Sequence, residues 1–411
     1  MDLAKSAVRV EAHPEDSEIT LLIPAVDESD PELSIVIPAM NESLTIAQFV
    51  AWCHEGIRSA DVRAEILIVD SSTDDTAERA LAAGARVLKA PARGLGRAYI
   101  DAIPVIRGRW VVMGDADCTY DFRRLAPFVE RFRAGDEYVM GSRWKGSIEK
   151  GSMPTHHQYF GTPLTTWILN RIYGSSFSDI HCGMRGITLE ALRRMGLASQ
   201  SWEYASEMVL KSVHFELQTA EVPVTFLKDQ EGRVSHHRRL GWLSPFRAAW
   251  INLRAMFVYG ADFFLVKPGF VALLVGLLLT VPQAGGPLTV GPVTFSLFWM
   301  LLGLALAVVG LQSFYLGLLT RLPFDYGRGR ADRLLRWFAY NRATTISGMA
   351  VVGGVILALP LVVRYISDDL SFTDGVTPFD HLAILGLLFI TMGFQTFTFT
   401  LVVHAFAGEG K

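Results

Sequence analysis

The stretch Val111-Val112-Met113-Gly114-Asp115-Ala116-Asp117 carries the residues best suited to chemistry. An apolar run ends in glycine, and two carboxylates one residue apart follow at once. If the run is a buried strand, both acids stand at the C-terminal edge of a sheet, where open α/β sheets take their ligands. Residues i and i+2 of an extended segment point the same way. Two carboxylates on one side repel each other unless a cation lies between them. Mg²⁺ or Mn²⁺ suits that place, since such ions are usually held by one or two carboxylates plus substrate phosphates. Asp-x-Asp alone also describes a solvated turn after a strand, so its surroundings decide.

Those surroundings alternate between strand and helix patterns. Leu33–Pro38 reads as the first core strand, with a helix over roughly Leu44–Ile57. The similar phrase at Leu22–Ser29 is an echo or an added edge strand. Ala64–Asp70 is the second strand, nearly continuous in apolar residues, as a strand covered on both faces should be. Ser71–Thr76 supplies cap chemistry for a helix at Thr76–Ala83. A short strand at Val87-Leu88, a helix opened by Arg93-Gly94-Leu95-Gly96-Arg97 and a strand at Trp110–Met113 follow. The alternation predicts a parallel α/β sheet. Beyond the acid pair come a helix at Arg123–Ala134, a strand at Tyr138–Met140 and a Gly-rich, basic, mobile loop to about Thr155. Helices at Pro163–Tyr173, from Leu189 and at Glu203–Val213, and a strand at Thr219–Phe226, complete this part.

Several residues join the acid pair as candidates. Asp70 ends a strand and could accept from a base N–H, or simply form a capping turn. Gly94 and Gly96 permit close backbone approach to a ligand. They do not follow the first strand, which excludes a nicotinamide fingerprint. Arg93, Arg97 and Arg143 could bind phosphate bidentately, or be solvated charges. Arg185, beside Asp179, His181 and Gly183, belongs either to a ligand loop or to a structural salt bridge. Glu207 is either a buried partner for such a base or a surface acid. His156-His157 and His181-Cys182 lack the spacing of a zinc site.

Composition bounds the rest. The chain has 411 residues, half of them hydrophobic, and a net charge of -3, which gives no reason to expect a nucleic-acid partner. Three scattered cysteines make no disulfide framework and fit a reducing cytosol. Met1–Asp16 has no apolar core of a signal peptide and reads as a mobile tail. The apolar excess lies in the C-terminal part. Pro245–Val266 reads as interfacial and amphipathic. Four apolar runs follow, near 263–283, 292–319, 344–363 and 380–405. The last three are long enough to cross a bilayer; the first has a short clean core, Pro268–Val281, and spans only if Asp262 and Lys267 stay at the interface. Six arginines in Thr320–Ala343, against none in Gln283–Gly291, put that loop, both termini and the catalytic part on the cytoplasmic side. The expected division is a tail at 1–32, a catalytic domain at 33–240, interfacial helices at 241–266 and an all-α transmembrane domain at 267–411.

Taken in order, the stretches Ile35–Glu42, Val69–Asp74, Gly94–Ala98, Gly114–Asp117, Gly141-Ser142-Arg143, Cys182–Arg185 and Glu221–Val224 resemble the family 2 glycosyltransferases of GT-A fold, in particular the polyprenyl-phosphate (dolichol-phosphate) sugar synthases. The resemblance spans about residues 33–240. It implies an inverting, metal-dependent hexosyltransferase using a UDP- or GDP-linked sugar, Mg²⁺ or Mn²⁺, a polyprenyl phosphate and a membrane. A homo-oligomer is compatible with it. By position it places Pro38, Ala39, Glu42, Asp70, Gly94, Gly96, Arg97 and Ala116 at the donor, and Asp115, Asp117 and Thr119 at the metal. Arg143, with Arg185 as a second, goes to the acceptor phosphate. Two departures stand out. A second acceptor arginine is replaced by His156-His157-Gln158, and a late basic motif reads Asp229–His236, leaving Arg233 for its donor-phosphate role. A phosphate monoester is already charged near neutral pH and needs orientation and charge compensation rather than a strong base. Two other functions compete. A processive polysaccharide synthase would carry Gln-x-x-Arg-Trp, to which Arg333–Trp337 is only a partial match. A non-catalytic membrane module would not need the acid pair.

Overall fold

Near-continuous apolar runs become the centre of a nine-stranded sheet. The computed structural model describes residues 8–153, 157–230, 232, 262–320, 330–371 and 375–408. It divides into two units, Met1–Tyr259 and Gly260–Lys411. In the first, β1 (Arg9–Ala12), β2 (Thr20–Ile23), β3 (Leu33–Ala39), β4 (Ala64–Asp70), β5 (Arg86–Lys89), β6 (Trp110–Met113), β7 (Tyr138–Ile148), β8 (Arg185–Thr188) and β9 (Thr219–Phe226) lie in the order β1-β2-β5-β4-β3-β6-β8-β7-β9. The central β5-β4-β3-β6 block is parallel. Antiparallel β8 joins β6 to β7, and β9 runs parallel to β7.

Helices α1 (Ile46–Ser59), α2 (Thr76–Ala82), α3 (Leu95–Ala102), α4 (Ala126–Arg133), α5 (Thr162–Tyr173), α6 (Leu189–Met195) and α7 (Tyr204–His214) connect the strands. Their placement follows helical spacing: α1 buries Ile46, Phe49, Val50, Cys53 and Gly56 on one face. Local signals end them too. Thr188 caps α6 by accepting from the Ala191 amide, and left-handed Gly196 stops it.

Two expectations change. The segment read as an N-terminal tail carries β1 and β2, and β2 pairs antiparallel with β5. Polar bonds fasten this segment: His13 Nε2 lies 2.9 Å from the Asp101 carbonyl, and Arg93 pairs with Asp16 and Glu18. The stretch expected to be a mobile Gly-rich loop is, as far as Ile148, the second half of β7. Its glycines serve close packing. A side chain on Gly141 would crowd Val224, and one on Gly146 would overlap the Val224 backbone. A bulge between Ser142 and Ser147 takes up the change of register.

Among the described residues, the second unit contains four helices long and apolar enough to cross a membrane: Phe263–Gln283, Leu297–Leu319, Tyr340–Ser367 and Pro378–Phe406. The first is continuous over 21 residues, so the short apolar core does not limit it. Gly269 and Gly276 pack against Gly310 and Gly303, where added side chains would meet backbone of the facing helix. The third helix exposes Val352, Val355, Ile356, Leu359, Val362 and Val363. A continuous apolar surface of that kind suits lipid better than water. Arg333–Trp337 lies on a short helix, Arg330–Trp337. The expected interfacial stretch 241–261 and Arg321 and Arg328 lie outside the described residues.

Candidate active site

Strand β6 buries all four of its residues and pairs with β3 on one side and β8 on the other. It stops at Gly114, whose carbonyl accepts from Tyr99 Oη at 3.0 Å. A Cβ on Gly114 would lie 2.7 Å from Phe122, so the turn requires glycine. Asp115 and Asp117 follow half-buried, with Ala116 buried between them. Thr119 donates to Asp117 Oδ1 from its amide at 3.0 Å and its hydroxyl at 2.6 Å. The hydroxyl proton therefore orients Asp117. Asp115 is bounded by the Gly183 backbone: a Cβ there would fall 2.6 Å from Oδ2.

The donor set suits a hard cation. Among the described residues, no group of three or more His, Cys, Asp or Glu could hold a metal by itself. Two carboxylates with ligand positions left for a diphosphate match the usual mode of Mg²⁺ and Mn²⁺. Thiolate chemistry is disfavoured beside them. Burial pushes the Cys182 thiol up to about 12, and lowers His181 to about 4, where it is neutral near pH 7.

Three parallel strands end together at this edge. Ala39 at the end of β3 is in register with Asp70 at the end of β4, and Ser71 N donates to the Ala39 carbonyl at 3.0 Å. Pro38 precedes it on β3, half-buried. Asp70 is buried, and burial raises its carboxyl above the ordinary range, opposed by hydrogen bonds from Ser72. Glu42 is buried as well; its amide donates to Thr76 Oγ1 at 3.0 Å and its Oε2 accepts from Thr45 at 3.2 Å. Residues distant in sequence thus meet at one sheet edge, the place expected of a ligand site in such sheets. A separate cavity of about 570 Å³, lined by Arg107, Arg109, Trp110 and Arg193, lies at the opposite end of β6.

Several candidate residues are placed differently from the expectation. The space at Gly94 and Gly96 is filled by the chain itself. Side chains there would overlap the carbonyls of Gln200 and Ser199, and Arg97 N donates to Gln200 O at 3.1 Å. Their close backbone approach therefore serves segment 199–201. The Arg97 side chain pairs with Asp101 at 2.6 Å. Arg143 is a strand residue, 7 % exposed, bound bidentately to buried Asp179 at 2.7 and 2.8 Å. Arg185 begins β8 and is 1 % exposed, which removes it from direct contact with an incoming lipid phosphate. Glu207 is the buried partner of a cation, but that cation is Lys211, at 2.6 Å. It also accepts from the amides of Ala198 and Ser199, which holds the segment over Gly94 and Gly96. Arg233 and His156 lie outside the described residues. Sequence reasoning did not single out Tyr99, Tyr120 and Tyr204, which surround the acid pair; only their pairing partners reveal them.

Residues 34–196 match the model of glycosyl transferase family 2, and residues 318–407 match that of the glycosyltransferase family 2 C-terminal transmembrane region. The low-salt glycan biosynthesis hexosyltransferase Agl6 of Haloferax volcanii is 33 % identical over 331 residues, covering 79 % of this chain and 78 % of that protein. A dolichyl-phosphate hexose transferase of the same organism is 29 % identical, over 41 % of this chain and 72 % of that protein. Among solved structures, mannosyl-3-phosphoglycerate synthase from Rubrobacter xylanophilus shares 23 % identity over 55 % of this chain and 74 % of its own; its TM-score, 0.42, is too low to bear on the fold. The match with Agl6 runs through both the acid-pair unit and the apolar helices, and the chain belongs to the family 2 glycosyltransferases, with a GT-A sheet followed by four apolar helices.

Proposed function

We propose that the chain transfers a hexose from a nucleotide sugar to a polyprenyl phosphate, with inversion at the anomeric carbon. The observation that carries this reading is the Asp115/Asp117 pair at the edge where β3, β4 and β6 end, with no third acidic ligand among the described residues. In this reading buried Asp70 and Glu42 meet the nucleoside, and the acid pair meets its diphosphate. A bound Mg²⁺ or Mn²⁺ would supply charge compensation for the departing diphosphate. The chain's own task is then to orient. Asp117 is held by Thr119. Arg143 gives Nε and Nη2 to Asp179, which leaves its Nη1 edge for the acceptor phosphate. The acceptor phosphate, already anionic, attacks the anomeric carbon directly and the C–O bond to the diphosphate breaks, so one displacement inverts the centre.

A membrane lipid as acceptor is supported by α5. Thr165 on that helix lies 2.9 Å from His181, next to Asp179, and the outward side exposes Leu164 and Trp167. An apolar face beside the acceptor side fits a lipid substrate. The relative named as a dolichyl-phosphate hexose transferase supports the same class.

Purified protein incubated with polyprenyl phosphate and a panel of UDP- and GDP-sugars, with and without chelator, tests the reading. A lipid-linked monosaccharide of inverted configuration, lost on chelation, is expected. Long polymer as the product would favour a processive synthase, and no sugar transfer from any donor would favour a binding module. The topology is part of the proposal: both termini and the catalytic unit are cytoplasmic. The three native cysteines are buried. Gly286→Cys and Phe372→Cys should therefore label from outside the cell and Arg330→Cys should not; external labelling of Arg330→Cys would overturn the orientation.

A further inference from the structure

Arg185 stands opposite Met113 on β6, two residues before Asp115. Its side chain is almost wholly buried. Among the described residues no carboxylate pairs with it. Nη2 donates to the Cys182 carbonyl at 2.6 Å and Nη1 to the Ala205 carbonyl at 3.1 Å, while Nε has no hydrogen-bond partner among the described residues. The guanidinium lies 5.6 Å from the Tyr204 ring, which packs 4.9 Å from Tyr99. Tyr99 in turn donates to Gly114, the residue before Asp115. A buried cation without a counter-ion is unfavourable unless its surroundings compensate. Here two carbonyls and the Tyr204 ring do so, and both carbonyls belong to segments that frame the acid pair. The bond to Cys182 fixes the next residue, Gly183, whose backbone abuts the Asp115 carboxylate.

We propose that Arg185 is a positioning residue for the acid pair: through the Cys182 carbonyl it sets the Gly183 backbone against Asp115, fixes the direction of that carboxylate, and so sets the affinity of the site for a divalent cation. The inference rests on the reading of Asp115 and Asp117 as a metal site. An arginine that merely fills the core would support folding without tuning the cation. Outer partners of metal ligands typically change affinity by about 10–100-fold when replaced.

The test is Mn²⁺ binding to the full-length protein in detergent, read from free Mn²⁺ by electron paramagnetic resonance, in the presence of UDP and in parallel of GDP. Thermal unfolding of each variant is followed alongside. Arg185→Lys keeps the charge and loses the fork to the two carbonyls. Gly183→Ala leaves Arg185 untouched and crowds Asp115. Asp115→Asn sets the level of a broken site. Each of the first two variants should weaken Mn²⁺ binding roughly 10–100-fold while remaining folded. A folded variant of either kind that binds Mn²⁺ as the wild type does would overturn the inference. If Arg185→Lys does not fold, Gly183→Ala alone decides. If the wild type binds no Mn²⁺ with either nucleotide, the metal site itself is refuted, a result separate from wild-type binding that the variants fail to disturb.

Discussion

At the site edge the acids of β4 and β6 stand at or just past the strand ends, whereas Arg143 stands inside β7 and Arg185 opens β8. Asp70, Asp115 and Asp117 come at the end of an apolar run, at the sheet edge. Arg143 interrupts the apolar pattern of β7, Arg185 is the first residue of β8, and both are buried. A charge in a strand must find its compensation on the spot. Arg143 finds the carboxylate of Asp179; Arg185 finds two carbonyls and the Tyr204 ring. The parallel side of the site can therefore be altered with the fold intact, whereas the antiparallel side couples function to folding.

The sharpest break of that contrast is Asp115→Asn or Asp117→Asn. Transfer should fall by at least about 10²–10³-fold, while thermal unfolding stays near wild type. A parallel loss of stability would show that the acid pair is structural too. Asp179→Asn should do the reverse. Removing one member of a buried ion pair typically costs about 3–5 kcal/mol, so the unfolding midpoint should drop well before donor binding changes. A variant as stable as the wild type would mean that Arg143 does not depend on Asp179.

Gly96→Ala should be milder, about 1–3 kcal/mol as for other overpacked sites. Because the intruding Cβ meets Ser199 rather than a ligand, the loss should appear in unfolding with donor affinity little changed. A donor-binding defect in a protein of normal stability would return Gly94 and Gly96 to the ligand side. The smallest effect is that of pH on His181. Burial lowers its folded value to about 4 from an ordinary 6.5. Its contribution is complete above about pH 6.5 and is lost as pH falls towards 4, because the unfolded chain takes up the proton first. The slope from this group is at most about 1.4 kcal/mol per pH unit. His181→Gln should flatten that part of the stability–pH curve; an unchanged curve would assign the acid sensitivity elsewhere.

Much of the fold was legible because its signals are local. The runs Ala64–Asp70, Trp110–Met113 and Thr219–Phe226 are strands with the expected ends, and the helices differ from expectation by a few residues at either end. The four apolar helices follow from length and composition alone. The acid pair was visible for the same reason: a strand's end and the i, i+2 spacing are properties of one short segment.

Tertiary structure alone decided the partners. Nothing local to Gly141–Ile148 announces a strand, since its glycines make sense only once Val224 lies against them. Nothing local to Arg93 distinguishes a phosphate ligand from a guanidinium already held by Asp16 and Glu18, 77 and 75 residues away; Arg97, by contrast, has its partner Asp101 at i,i+4 on the same helix. Arg143 meets Asp179 and Arg185 meets Ala205 through contacts 36 and 20 residues apart. The sequence by itself determined which segments bury their side chains and where charges must gather, because hydrophobic period and strand ends are set by neighbouring residues. Which charge is free to meet a ligand and which is already satisfied was fixed only by packing, because a buried ion must be compensated by groups that the chain brings back from elsewhere.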